Sequence, residues 1–163
     1  MSLPLVKLLK KIILGLVVFF VAIQFIRPAK NIAARPSEND ITDHYPTPPA
    51  VKQLLAVACY DCHSDTTRYP WYADVQPVGW WLSSHVNDGK KHLNFSEFAT
   101  YSPKRAASKL DFMIDEVTDH DMPLLSYRLG HPDARLTPAQ IKLLTDWADS
   151  VREQILAAHG LND

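Results

Sequence analysis

Apolar positions along this chain form one unbroken run and then several periodic stretches. Ile12 to Ile26 reads IILGLVVFFVAIQFI, interrupted only by Gly15 and Gln24, and Leu3, Leu5, Val6, Leu8 and Leu9 extend its apolar face. Lys7, Lys10 and Lys11 precede the run. A segment apolar on all faces does not suit the core of a small domain. A positive start followed by an apolar stretch has the pattern of an export signal. The run is short against a span of about 20 residues. Yet no small-x-small cleavage site follows Gln24-Phe25-Ile26-Arg27-Pro28, and the lysines can snorkel to the interface. Residues 1–27 are therefore expected to be a retained signal-anchor, a single transmembrane helix.

Pro28, Pro36, Pro46, Pro48 and Pro49 then lie among polar residues. Residues 28–46 read as an extended tether, able to reach roughly 60 Å at about 3.1 Å per residue. Residues 47–163 read as one helical domain. Thr47 is placed as an N-cap, with Pro48 and Pro49 in the first turn of VKQLLAVACYDCH and Leu54, Leu55 and Ala58 on its apolar face. A second helix is expected from Pro77 to Gly89, with the glycine as its stop. A third opens at Ser102-Pro103 and carries Ala106, Leu110, Met113, Ile114 and Val117 at helical spacing. The fourth opens on a capping box, Thr137-Pro138-Ala139-Gln140, and steps through Ile141, Leu144, Ala148, Val151 and Ile155 towards Gly160. No run of alternating polarity suggests a sheet, so the fold class is all-α.

Charge sharpens this division. All 18 acidic residues lie beyond Pro36, where they face 11 Lys and Arg, leaving that part at −7. Nucleic-acid binding is disfavoured by that sign. A basic patch on a protein partner would be attracted by it; the plain alternative is a solvated surface that confers solubility.

Candidate chemistry is concentrated in Cys59-Tyr60-Asp61-Cys62-His63, which holds both cysteines of the chain. C-x-x-C-H is the attachment pattern of a covalent c-type haem. Two thiols at this spacing on a helix reach the vinyl groups along one porphyrin edge, and His63 then sits beneath the iron as proximal ligand. A structural disulfide and a redox dithiol are the alternatives, but nothing upstream reads as the strand a thioredoxin-like dithiol requires. A zinc site would need about four ligands, and no further cysteine exists.

A proximal histidine leaves the far axial position to be filled. Met113 falls on the apolar face of a helix, where core packing is expected, and Met1 begins the chain. Met122 lies in the polar loop Asp119-His120-Asp121-Met122-Pro123, and Pro123 biases it towards an extended conformation that aims a thioether. It is the expected distal ligand, against the reading of a loop methionine plugging a gap. His85 and His92 are the alternative distal ligands; His120 competes too, and for each a structural role is the plainer reading. Trp71, Trp80 and Trp81 are candidates for packing against the porphyrin, with indole N–H groups on the propionates, or for an aromatic core of their own. Arg68, Lys90 and Lys91 are candidate propionate partners that would serve equally as solvated charges.

The stretch CYDCHSDTTRYPWYADVQPVGWWLSSHVNDGKKHLNFSEF, with DHDMPLLSYRLGHPDARLTPAQIKLLTDW downstream, resembles the bacterial haem-binding domain family over roughly Tyr45 to Ala157. The resemblance implies a small protein with one covalent haem c, thioethers at Cys59 and Cys62, and His63 as proximal ligand. Met122-Pro123 is similar to the distal loop of class I cytochromes c, and the helix with Trp147 resembles the one that closes such folds. The segment Tyr69–Phe98, dense in tryptophan and histidine, is unlike the short loops of those carriers. The expected function is electron transfer by a membrane-tethered cytochrome rather than catalysis, with the haem domain on the periplasmic side of the cytoplasmic membrane. A haem-based small-ligand sensor is the alternative, and a peroxidase-like enzyme using His85 or His92 with Arg68 a third. The expected partners are the membrane and redox proteins with a basic docking surface.

Overall fold

The computed structural model describes residues 3–161; Met1 and the outermost ends of the expected anchor and domain lie outside them. In chain order the helices are α1 (Leu3–Ile23), α2 (Ile41–His44), α3 (Pro49–Ala58), α4 (Tyr60–His63), α5 (Val78–His92), α6 (Pro103–Thr118), α7 (Leu125–Gly130) and α8 (Pro138–Ala158). Short 3₁₀ helices occupy Trp71–Asp74, Phe95–Thr100 and Pro132–Ala134. No strand forms among the described residues, where an isolated bridge pairs Ile32 with Thr66. The all-α expectation holds.

The chain divides into two units, one of residues 1–30 and 68–85 and one of residues 31–67 and 86–163. In the first, α1 keeps most of its apolar side chains between Leu5 and Val21 exposed. Its C-terminal end is held by polar contacts. The Gln24 amide donates to the Gln76 carbonyl at 3.1 Å and accepts from the Gln76 N–H at 2.8 Å, and the Trp80 indole donates to the Ile26 carbonyl at 2.7 Å. Among the described residues no helix is long and apolar enough to cross a membrane. This corrects the expected transmembrane helix, and the reason is local. The helix begins at Leu3 and ends at Ile23, so Lys7, Lys10 and Lys11 lie inside it instead of ahead of it. The uninterrupted apolar part, Ile12 to Ile23, is then only about 18 Å long against a hydrocarbon core of about 30 Å.

The second unit carries the core. α6 and α8 pack along their length, contributing Ala106, Leu110, Met113 and Val117 from one and Leu144, Trp147, Ala148, Val151 and Ile155 from the other. These are the positions that the helical periodicity selects. The capping box of α8 is complete: the Gln140 N–H donates to the Thr137 hydroxyl and the Thr137 N–H to the Gln140 side chain. α3 adds Val51, Leu54, Leu55 and Ala58. Its N-cap is Pro48, one residue after the expected Thr47, whose hydroxyl instead donates to the Tyr45 carbonyl.

Residues 28–46 are not a free tether. Asn31 donates to the Ser64 carbonyl and its own carbonyl accepts the Thr67 N–H. Ile41 is fully buried, in a one-turn helix capped by Asp40. The Pro46 carbonyl accepts the Trp147 indole at 3.2 Å. Proline content suggested extension, and the segment is extended in places, but enough apolar and hydrogen-bonding residues lie between the prolines to bind it to the core.

Candidate functional site

Cys59 stands at the break between α3 and α4, closing one helix through its N–H to the Leu55 carbonyl and opening the next through its carbonyl to the His63 N–H. The motif therefore spans a helical kink and not one continuous helix. Cys59 and Cys62 are free thiols. Burial, with the neighbouring Cys62, pushes the Cys59 thiol up to about 12; burial, with the charge of Asp61, pushes Cys62 up to about 11. Both are therefore protonated at neutral pH and hold no thiolate for a dithiol exchange reaction.

His63 is fixed from behind. Its Nδ1 lies 2.9 Å from the Leu93 carbonyl oxygen. A carbonyl only accepts, so Nδ1 carries the proton and Nε2 presents a lone pair on the opposite edge of the ring. Burial holds His63 below its ordinary pKa despite the carbonyl contacts, which keeps the ring neutral and able to ligate. Second-partner bonds of this kind set the tautomer and orientation of ligating histidines. Phe95 meets the imidazole edge-on at 6.3 Å and stacks on Tyr60 at 5.5 Å.

The last turns of α5 supply this backing. A Cβ placed on Gly89 would come within 2.6 Å of the Cys62 carbonyl oxygen, so only a glycine admits this approach. One residue on, Lys90 pairs with Asp65 at 2.8 Å and donates to the Asn31 side chain at 2.7 Å; Asn94 also donates to Asp65. Burial raises the Asp65 pKa, and the hydrogen bonds and charge of these partners outweigh it, leaving the carboxyl below its usual range. Gly89 is thus no helix stop, and α5 runs three residues past the expected end to His92.

The segment bearing Met122 reaches the motif through α7. The Met122 N–H and the Asp121 N–H both donate to the Glu116 carbonyl at 3.0 Å, after His120 has taken a positive φ of 64° to leave α6. Met122 is half-buried against the apolar core that also receives Cys59 and Tyr60. Five residues on, the Tyr127 hydroxyl lies 2.7 Å from Asp61 Oδ2, inside the motif.

The remaining candidates make contacts of their own. His92 is exposed, its Nδ1 on the Asp88 carbonyl, and it sits next to Leu93, on the Nδ1 side of His63. It is thus the chain neighbour of the residue that backs the His63 ring. His85 belongs to the first unit, with Nδ1 on the Trp81 carbonyl and its ring 4.3 Å from the Trp81 indole. Trp80 has given its single N–H to Ile26, and Trp71 is 80% exposed. The aromatic residues that do meet the motif, Phe95 and Tyr127, carry no spacing signal in the sequence.

The donor set fits a haem: two free thiols, and a neutral imidazole with Nε2 presented. One buried polar atom also asks for a partner. Arg128 Nε is buried with none, which costs about 1–3 kcal/mol unless an anionic group arrives. Among the described residues no group of three or more His, Cys, Asp and Glu could hold a bare metal ion. A family model described as a haem-binding domain matches residues 18–150. No curated protein and no solved structure matches the chain.

Proposed function

The chain belongs to the haem-binding domain family, and on that footing we propose that it is a mono-haem c-type cytochrome that carries electrons. The observation that carries the reading is His63, whose Nδ1 is spent on the Leu93 carbonyl within a C-x-x-C-H motif of free thiols. When bound, the haem supplies one reversible electron at its iron. Cys59 and Cys62 would hold it covalently, each through a thioether at its sulfur. His63 Nε2 would ligate the iron, and Met122 is assigned as its second protein ligand. A thioether there favours the ferrous state and a carrier role over open-site chemistry. Residues 31–163 bring the acidic charge to a basic redox partner. Attachment at the periplasmic face of the cytoplasmic membrane is assigned to the exposed apolar side chains of α1.

Denaturing electrophoresis with haem staining tests the attachment. The wild type is expected to retain haem through denaturation, and Cys59→Ala with Cys62→Ala to lose it. A wild type whose haem is extracted by acid and organic solvent would sink the covalent reading. Rapid carbon monoxide binding by the reduced wild type would replace electron transfer with the small-ligand alternative.

A further inference from the structure

We infer that Tyr127 is a positioning residue for the distal ligand, acting through its hydrogen bond to Asp61. The inference rests on the proposed haem site and on Met122 as its sixth ligand. Asp61 is the residue just ahead of Cys62 and is 5% exposed. The Tyr127 hydroxyl lies 2.7 Å from its Oδ2 and 3.1 Å from the Val57 carbonyl, so the one hydroxyl proton goes to the carboxylate, the nearer and charged acceptor. Its ring is held flat against His131, at 4.0 Å and 13° between planes. The hydroxyl thus arrives at the motif from a side chain whose rotation is already restricted.

The other end of the same segment is also pinned. Arg128 Nη2 reaches the His120 carbonyl at 3.4 Å, and the Arg128 carbonyl accepts from Arg135 Nε at 3.0 Å. Met122 lies between these two fixings, on the short stretch from His120 to Tyr127. That stretch is tied to the end of α6 through Glu116 on one side and to the motif on the other. Releasing Tyr127 frees the motif side while leaving the α6 side in place. The sulfur then spends more of its time away from the iron, although every iron ligand remains in the chain.

The experiment compares full-length haem-loaded wild type with Tyr127→Phe, Asp61→Asn and Asp61→Leu. The readouts are haem staining, far-ultraviolet helicity, the thioether-to-iron absorption band and carbon monoxide association. Tyr127→Phe is expected to keep covalent haem and helicity, to weaken the band, and to bind carbon monoxide about tenfold faster, as the loss of one charge-assisted hydrogen bond implies. Asp61→Leu should behave likewise, whereas Asp61→Asn, which keeps an acceptor oxygen, should retain the band. A wild-type band and carbon monoxide rate in Tyr127→Phe would overturn the inference while leaving the haem site intact. The same holds if Asp61→Leu is silent. A wild type without the band removes Met122 and this inference together, and a wild type without haem staining removes the covalent site beneath both.

Discussion

Gly89 shows how much of a site can rest on one hydrogen atom. Within α5 an alanine would ordinarily be better than glycine by up to about 1 kcal/mol. Here the added carbon would meet the Cys62 carbonyl oxygen at 2.6 Å and its carbon at 3.1 Å. These are backbone atoms and cannot swing aside, so overpacking of about 1–3 kcal/mol outweighs the helical gain. Gly89→Ala is expected to lower stability by up to about 2 kcal/mol on that difference, read by urea unfolding of the haem-free chain, and to reduce the yield of attached haem. A variant as stable as the wild type would show that the motif can back away from α5. From sequence this glycine reads as a helix stop because glycine commonly is one. The requirement that makes it a glycine is a neighbour 27 positions earlier, which no local pattern contains. His63 and the two cysteines were legible for the opposite reason: their chemistry fixes their spacing within five residues. The Leu93 carbonyl that sets the imidazole tautomer is a backbone atom and leaves no mark in the sequence at all.

Among the elements, legibility follows the same divide. α6 and α8 declare themselves through apolar residues three and four apart and, in α8, a complete capping box, and both stand where those signals put them. Residues 31–46 mislead because their order comes from single anchoring residues and not from a period. One of those anchors gives a pH dependence. The Tyr60 hydroxyl donates to Asp40 Oδ1 at 3.0 Å, joining α4 to the cap of α2. Burial raises the Tyr60 pKa above its ordinary value, and the Asp40 charge and hydrogen bond raise it further. A raised pKa in the folded state means that the native chain holds this proton where the unfolded chain releases it. The stabilisation is therefore complete below the ordinary tyrosine pKa of about 10 and is lost as pH rises beyond it. Tyr60→Phe is expected to be less steep in its alkaline loss of thermal stability than the wild type between about pH 9 and 11. Equal slopes for the two proteins would show that other groups, Tyr45 among them, govern that limb.

At the scale of the whole chain the unresolved demand is the surface of α1. Leu14, Leu16, Val18 and Phe19 each leave more than half of their surface exposed on a helix that is apolar on all sides from Ile12 onward. A soluble protein rarely leaves so much contiguous apolar surface uncovered. Three lysines within the helix make a centred span expensive, yet their long stems allow the charges to sit at headgroup level while the apolar part enters the hydrocarbon. Attachment of this kind is apolar, so raising the salt concentration should not release it, unlike a basic patch held by anionic lipid. Haem-stained protein is accordingly expected in the membrane fraction and to stay there through a wash of about 1 M salt, where the Debye length is about 3 Å. Leu14→Lys with Val18→Lys puts two charges on the exposed face, each costing about 2.5–3.5 kcal/mol inside an apolar segment. The double variant should move to the soluble fraction with its haem still attached. Wild-type protein that washes off in salt would instead leave α1 as a helix in search of a protein partner.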